Sequence, residues 1–385
     1  MKRLITACIL LLGLVLPCGA GEPLRIGVTL GLTGKYAEMS GKQIRGFRLW
    51  EQDINKGGGI LGRKVTLLIY DDKSDPQTAR TFYEHFITKD KVDFLFGPYS
   101  SEITEAVLPV TEKYRYPLLV SGAAADRLWE KGYGSVFGLY NPASKYAIGF
   151  LELLLRNDVE VIAIVHGGDS FSRDVAQGAK KWAERFGLNV VMFEEFRQEP
   201  PGLEELAKKA RASGSQALIL CGHFNEAVSM RLALKKTGWS PKAFFATVGP
   251  VTQTFLEKLG PDADLVFSSS QWEYHGGMIF PGCCEFSEFY EAYLSAYKEE
   301  PSYHAATAYA AGQILRTAIL KAGSTDRERV RNTLSRMDTM SILGRFGVDR
   351  RGMQIRHFNL IIQWQKGKKE IVWPEELRTA KPLFR

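Results

Sequence analysis

The sequence predicts an α/β protein of two lobes, each built on a doubly wound parallel sheet. Three observations predict it. Short apolar runs alternate with helical stretches along nearly the whole chain. The runs stop at turns rich in Gly, Ser and Pro, as buried parallel strands do. The length, 385 residues, suffices for two cores.

Residues 24–30 are an apolar run that ends at Gly31, and they read as the first strand. A helix over 41–55 follows. The Gly57-Gly58-Gly59 run ends it, because glycine takes left-handed backbone angles without a Cβ clash. Residues 65–70 form the next strand and lead into two acids, Asp71 and Asp72. Asp75-Pro76 opens a helix to residue 89, in the N-cap and N1 positions. Strands over 92–96 and 118–120 each run into a serine-bearing turn, and the first turn starts a helix that reaches residue 114. Asn141-Pro142 caps a long helix to residue 156, and the first crossover between lobes falls near this point. Strands over 159–165, 188–196, 217–221, 243–248 and 265–268 then alternate with helices over 171–186, 202–212, 225–237 and 252–259. Three helices follow, over 285–297, 303–322 and 326–336. Strands over 357–365 and 369–373 close the chain around a Lys366-Gly367-Lys368 turn and read as antiparallel.

Residues 1–20 read as an export leader. Lys2 and Arg3 give a positive start, residues 4–16 are apolar apart from Thr6 and Gly13, and Cys18-Gly19-Ala20 offers small residues for cleavage after Ala20. The run falls short of the roughly 20 apolar residues that a membrane span needs. Two alternatives stay open: an uncleaved anchor, and a lipoprotein carrying its lipid on Cys18, against which Pro17 counts.

Apolar residues make up 45% and charged residues 24%, the balance of a soluble globular chain. The formal charge is +7, with acids and bases interspersed and no basic block carrying stacking aromatics. Nucleic acid is therefore not an expected partner. Of five cysteines, Cys8 and Cys18 lie in the leader, and no CxxC spacing is present. No metal site is expected on that pattern. A bond from Cys221 to Cys283 or Cys284, and a strained Cys283–Cys284 bond, stay open. No cofactor is expected: there is no GxxxxGK[ST], and the three-glycine run does not follow a strand as GxGxxG.

The Gly31-Leu32-Thr33-Gly34 loop, GGGILGRKV, YDDKSDP, FGPYSS and Val120-Ser121-Gly122-Ala123-Ala124 occur in that order. In these segments the chain resembles the branched-chain amino-acid binding proteins of bacterial ABC importers, the type I periplasmic binding fold. The resemblance implies three hinge crossovers and two discontinuous lobes, one of residues 21–140 and 270–340, the other of 141–269 and 341–385. It also implies a periplasmic protein that closes over a small molecule and meets an inner-membrane ABC permease.

Ligands of such folds sit where strands end. Tyr99, Ser100 and Ser101, and Ser121, Gly122, Ala123 and Ala124, lie between a strand end and a helix start. Backbone amides there suit an anionic oxygen, and the serines add hydroxyl donors. The plain alternative is that these serines only cap helices. The family holds an amino acid's ammonium group with an acid and tyrosines. Here the acid's place falls at Val248, one tyrosine's at Phe171 and the other's at His223 or Phe224, while Ala125 replaces a threonine. Asp169 and Glu226 lie close by and could substitute. Tyr36, Ser40, Trp272 and Tyr274 complete the candidate set. The aromatic members suit an apolar ligand body. A small carboxylate with an apolar or aromatic body is the expected ligand, and an apolar amino acid the alternative.

Two other classes fit the sequence less well. His166-Gly167-Gly168 resembles the oxyanion loop of some lipases, but no GxSxG elbow exists and no histidines pair at HExxH spacing. A non-enzymatic protein is expected. A sensor signalling to a separate receptor would share the same fold.

Overall fold

Two largely parallel sheets organise the residues that the computed structural model describes, 21–196, 202–274 and 285–385. The leader, Cys283 and Cys284 lie outside the described residues. The first sheet holds β1 (Leu24–Leu30), β2 (Val65–Asp71), β3 (Phe94–Phe96), β4 (Leu118–Val120) and β5 (Val136–Gly138), in the order β2-β1-β3-β4-β5. All its pairings are parallel. The second begins with β6 (Val161–His166), β7 (Asn189–Glu195), β8 (Ala217–Cys221), β9 (Ala243–Ala246) and β10 (Val266–Ser270). After a separate hairpin of β11 (Thr339–Ser341) and β12 (Gly344–Phe346), the chain adds β13 (Leu360–Gln365) and β14 (Lys368–Trp373) antiparallel beside β10. The order is β14-β13-β10-β9-β8-β6-β7.

Burial explains the strands. Every residue of β1 except Arg25 is fully buried, as in a strand covered on both faces. The helices supply the cover: α1 (Ala37–Lys56), α2 (Pro76–His85), α3 (Ser101–Lys113), α4 (Arg127–Glu130), α5 (Ile148–Leu155), α6 (Ser170–Phe186), α7 (Gly202–Ala212), α8 (Phe224–Lys236), α9 (Gln253–Leu259), α10 (Glu285–Tyr297), α11 (Tyr303–Ala322) and α12 (Arg327–Leu334). α1 packs against both α10 and α11, so the later helices cover the first sheet. Phe47 of α1 stacks on Phe96 of β3 at 4.9 Å between ring centres. Each such ring stabilises by about 1.5–3 kcal/mol through burial.

Several local expectations need correction. α1 starts at Ala37, four residues before the expected start, so Ser40 lies inside it. Gly57 keeps an ordinary φ of −73°, and Gly58 and Gly59 take the left-handed angles. The helix expected after Pro142 is broken into a 3-10 turn, Ala143–Lys145, and α5. Asp126 caps the turn: its carboxylate accepts from both the amide and the hydroxyl of Ser144, at 2.9 and 2.6 Å. The chain enters the second sheet at Leu360, later than the boundary at residue 341, since β11 packs on α11 and the Gly138 amide donates to Gly352 O at 2.9 Å.

Three segments cross between the sheets. They follow β5, follow β10 and precede β13. Gln271 lies on the second and bonds to the other two: its Oε1 accepts from the Asn141 amide at 3.0 Å, its Nε2 donates to the Tyr146 hydroxyl at 2.8 Å, and its carbonyl lies 2.8 Å from His357 Nε2. Burial holds the His357 imidazole near a pKa of about 4, so it is neutral and donates to that carbonyl.

Candidate functional site

The strand order of each sheet reverses beside one strand. In the first sheet, β2 and β3 flank β1; in the second, β7 and β8 flank β6. The loops that leave the flanking strand ends diverge there and open a crevice. The turn after β3, with those after β6 and β8, lines a cleft of about 280 Å³.

On the first-sheet side, Ser100 caps α3, and its hydroxyl accepts from the Ile103 amide at 3.2 Å. Its φ is +90°, a conformation that costs a side-chain-bearing residue about 1–3 kcal/mol and that gathers at ligand sites. The Ser100 amide donates to Gly122 O at 3.1 Å, which joins this turn to the one after β4. Gly122 is needed at that junction: a Cβ there would sit 2.8 Å from Pro98 O. Ser101 Oγ accepts from the Ala124 and Ala125 amides, at 3.2 and 3.0 Å. Those two amides are therefore engaged already. The Ser101 hydroxyl, accepting twice, keeps its own hydrogen to donate.

On the second-sheet side, Asp169 caps α6 and accepts from the amide and hydroxyl of Ser172, at 3.1 and 2.6 Å. His223 precedes α8, and its amide donates to Glu226 Oε2 at 3.2 Å. Its Nε2 lies 3.2 Å from Asp169 Oδ1. Burial alone pushes the His223 pKa down, but the Asp169 carboxylate outweighs it and holds the imidazole above its usual range. Burial likewise pushes Asp169 up, and His223 and Ser172 bring it well below the usual carboxylate range. The two form an internal ion pair, which commits Asp169 to its neighbours.

The cleft gathers Tyr99, Ser100, Ser101, Gly122, Ala123, Ala124, Phe171, His223 and Val248. Tyr36 adjoins them, its ring 5.6 Å from Tyr99 and 5.2 Å from His223. Ser40 and Ser121 are fully buried nearby and do not line the cleft. Three candidates lie elsewhere. Phe224 is buried at the start of α8, with Lys258 Nζ 4.9 Å from its ring centre. Trp272 stacks on Phe286 at 5.4 Å, and Tyr274 on Tyr290 at 3.8 Å. The polar surroundings of these two residues suggested the cleft, whereas α10 covers both with aromatic rings. Its spacing of Phe286, Phe289, Tyr290 and Tyr293 was the available signal for that cover.

Four lining residues escaped the sequence reading: Tyr140, Tyr146, Tyr303 and His304. The first two sit on a crossover and the others open α11, so no strand end announces them. Asp126 and Asp174 lie in a neighbouring opening, where Arg127 pairs with Asp174 at 2.7 Å between α4 and α6. His166 is buried beside Phe193 and lies 2.8 Å from its neighbour's carbonyl, Gly167 O. Among the described residues, no group of three His, Cys, Asp or Glu is placed to hold a metal ion. None of the described helices is long and apolar enough to cross a membrane.

A protein similar over most of its length is Leu/Ile/Val-binding protein homolog 7 of Brucella suis, 24% identical over 374 residues, which span 92% of each chain. The branched-chain amino acid transporter substrate binding protein LivJ of Streptococcus pneumoniae, solved with isoleucine, superposes with a TM-score of 0.81. It is 20% identical, and the match covers 91% of this chain and 100% of that one. A solute binding protein of an ABC transporter from R. palustris, solved with benzoate, superposes with a TM-score of 0.79 at 18% identity, covering 91% of this chain and 95% of that one. These structures share the type I periplasmic binding fold with this chain. The family model for periplasmic binding proteins matches residues 23–369, and the chain belongs to that family.

Proposed function

We propose that this protein is an extracytoplasmic receptor that captures a small carboxylate with an aromatic or apolar body between its lobes. It then presents the closed form to an inner-membrane ABC permease. The leader over residues 1–20, cleaved after Ala20, would carry it to the periplasm.

One observation carries the ligand class: among the described residues, the cleft lining contains no carboxylate, while five aromatic rings and two histidines face the space. An ammonium group buried there lacks an anionic partner, which costs several kcal/mol. A carboxylate instead meets the start of α3 and the Ser101 hydroxyl, and the rings surround an apolar body. The benzoate held by the R. palustris neighbour is a ligand of this class. The isoleucine held by the S. pneumoniae neighbour supports the second reading, an apolar amino acid.

Calorimetric titration with benzoate and with L-leucine tests the choice. Benzoate is expected to bind in the micromolar range, about −8 kcal/mol, with leucine far weaker. Tight leucine binding with no response to benzoate overturns the assignment.

A further inference from the structure

His304 is the second residue of α11 and lines the cleft. Its side chain is fully buried, yet neither ring nitrogen has a hydrogen-bond partner among the described residues. A histidine kept for packing normally satisfies at least one nitrogen, because a buried polar atom left unpaired destabilises the fold. The ring is held in place all the same. It stacks on Tyr303 with ring centres 4.0 Å apart and lies 5.6 Å from Tyr99, whose own ring meets Tyr36.

Its charge state follows from its surroundings. Burial, then the Lys42 and His223 cations, bring its pKa down to about 3. The positive end of α11 acts in the same direction. The imidazole is thus neutral and offers one N–H donor and one bare nitrogen acceptor. A carboxylate can only accept, an ammonium can only donate, and an unsubstituted ring does neither. A hydroxyl does either, whichever nitrogen carries the proton.

We propose that the bound solute carries a hydroxyl group in addition to its carboxylate, and that His304 is the residue that recognises it. The solute class is then a hydroxylated aromatic acid. This rests on the carboxylate reading above, and it assigns the two ends of the cleft different tasks. The start of α3 and Ser101 take the acid group. The start of α11 reads the ring substituent.

The test is calorimetric titration of the full mature protein with benzoate and with 2-, 3- and 4-hydroxybenzoate. It uses the wild type, His304→Phe and His304→Gln. At least one hydroxybenzoate is expected to bind the wild type about tenfold or more tightly than benzoate. His304→Phe is expected to bring that ratio near unity, whatever its effect on benzoate affinity itself. His304→Gln, which retains a donor and an acceptor, is expected to preserve part of it. Benzoate binding by each variant also reports a folded cleft; if the Phe variant loses it, the wild-type ratio and the Gln variant decide. Equal wild-type affinities for all four acids overturn the proposal, and solvent rather than solute then partners the ring. A ratio that survives His304→Phe overturns it as well. If no aromatic acid binds while leucine does, the carboxylate reading falls and takes this proposal with it. If benzoate binds and a hydroxyl adds nothing, only the present proposal falls.

Discussion

His223 Nε2 lies 3.2 Å from Asp169 Oδ1, and the pair bridges the ends of β8 and β6 at the cleft. Each residue shifts the other toward its charged form against the opposing pull of burial. The Asp169 carboxylate is thereby paired from within the protein.

The ion pair predicts a titration. On unfolding, His223 returns to its usual 6.5. Its raised folded value contributes stability that is fully present below 6.5 and is lost as pH rises through the folded value. Asp169 has the opposite sign: its contribution is present above its usual 3.8 and is lost as pH falls through its depressed folded value. Imidazole NMR is expected to place the His223 midpoint above 6.5 in the wild type. In Asp169→Asn, where burial and Lys35 are opposed only by the weaker pull of Glu226, the midpoint is expected to fall. A midpoint unmoved by the substitution contradicts the pairing.

Ser101→Ala removes the acceptor for two buried amides and, on the function proposed above, one donor to the ligand. We expect a loss of about 1–3 kcal/mol of stability in urea unfolding and a drop of about tenfold in carboxylate affinity. Retained affinity would place the ligand's acid group elsewhere.

Trp272→Ala separates two assignments of one residue. The stacking on Phe286 and Phe289 predicts a loss of about 3–5 kcal/mol in stability with ligand affinity nearly unchanged. The opposite outcome, intact stability and lost binding, would put the indole in the cleft.

Arg127 and Asp174 hold the two sides of the molecule together beside the cleft. Arg127 is about one-third exposed, so solvent screens the pair and its contribution is small, about 1 kcal/mol or less. Asp174→Asn is expected to weaken ligand binding a few-fold and leave the melting temperature nearly unmoved. Small-angle scattering on the ligand-free variant is expected to show a larger radius of gyration. Unchanged affinity and dimensions would mean that this contact does not favour the closed form.

Sequence patterns announced the elements that carry long apolar runs. β1 and β6 are legible because their covered faces leave few polar residues. β5, β11 and β12 were missed: three residues are too few to show a period, and each contains a Gly or polar residue, whereas the equally short β3 and β4 are wholly apolar. In the cleft, Ser100, Phe171 and His223 could be located because each adjoins a strand end. Tyr146 and His304 could not, because their place depends on how distant segments pack. Trp272 shows the converse: its neighbours in sequence are polar, while its neighbours in space are the rings of α10.

Gln271 stitches together every cord that joins the halves of this molecule. Separate cords could twist, slide and fold independently. Cords knotted at one point leave chiefly a single swing, like a door on one pin. On the function proposed above, an arriving solute would have little torsional freedom to quench, and more of its contact energy would go into shutting the jaws.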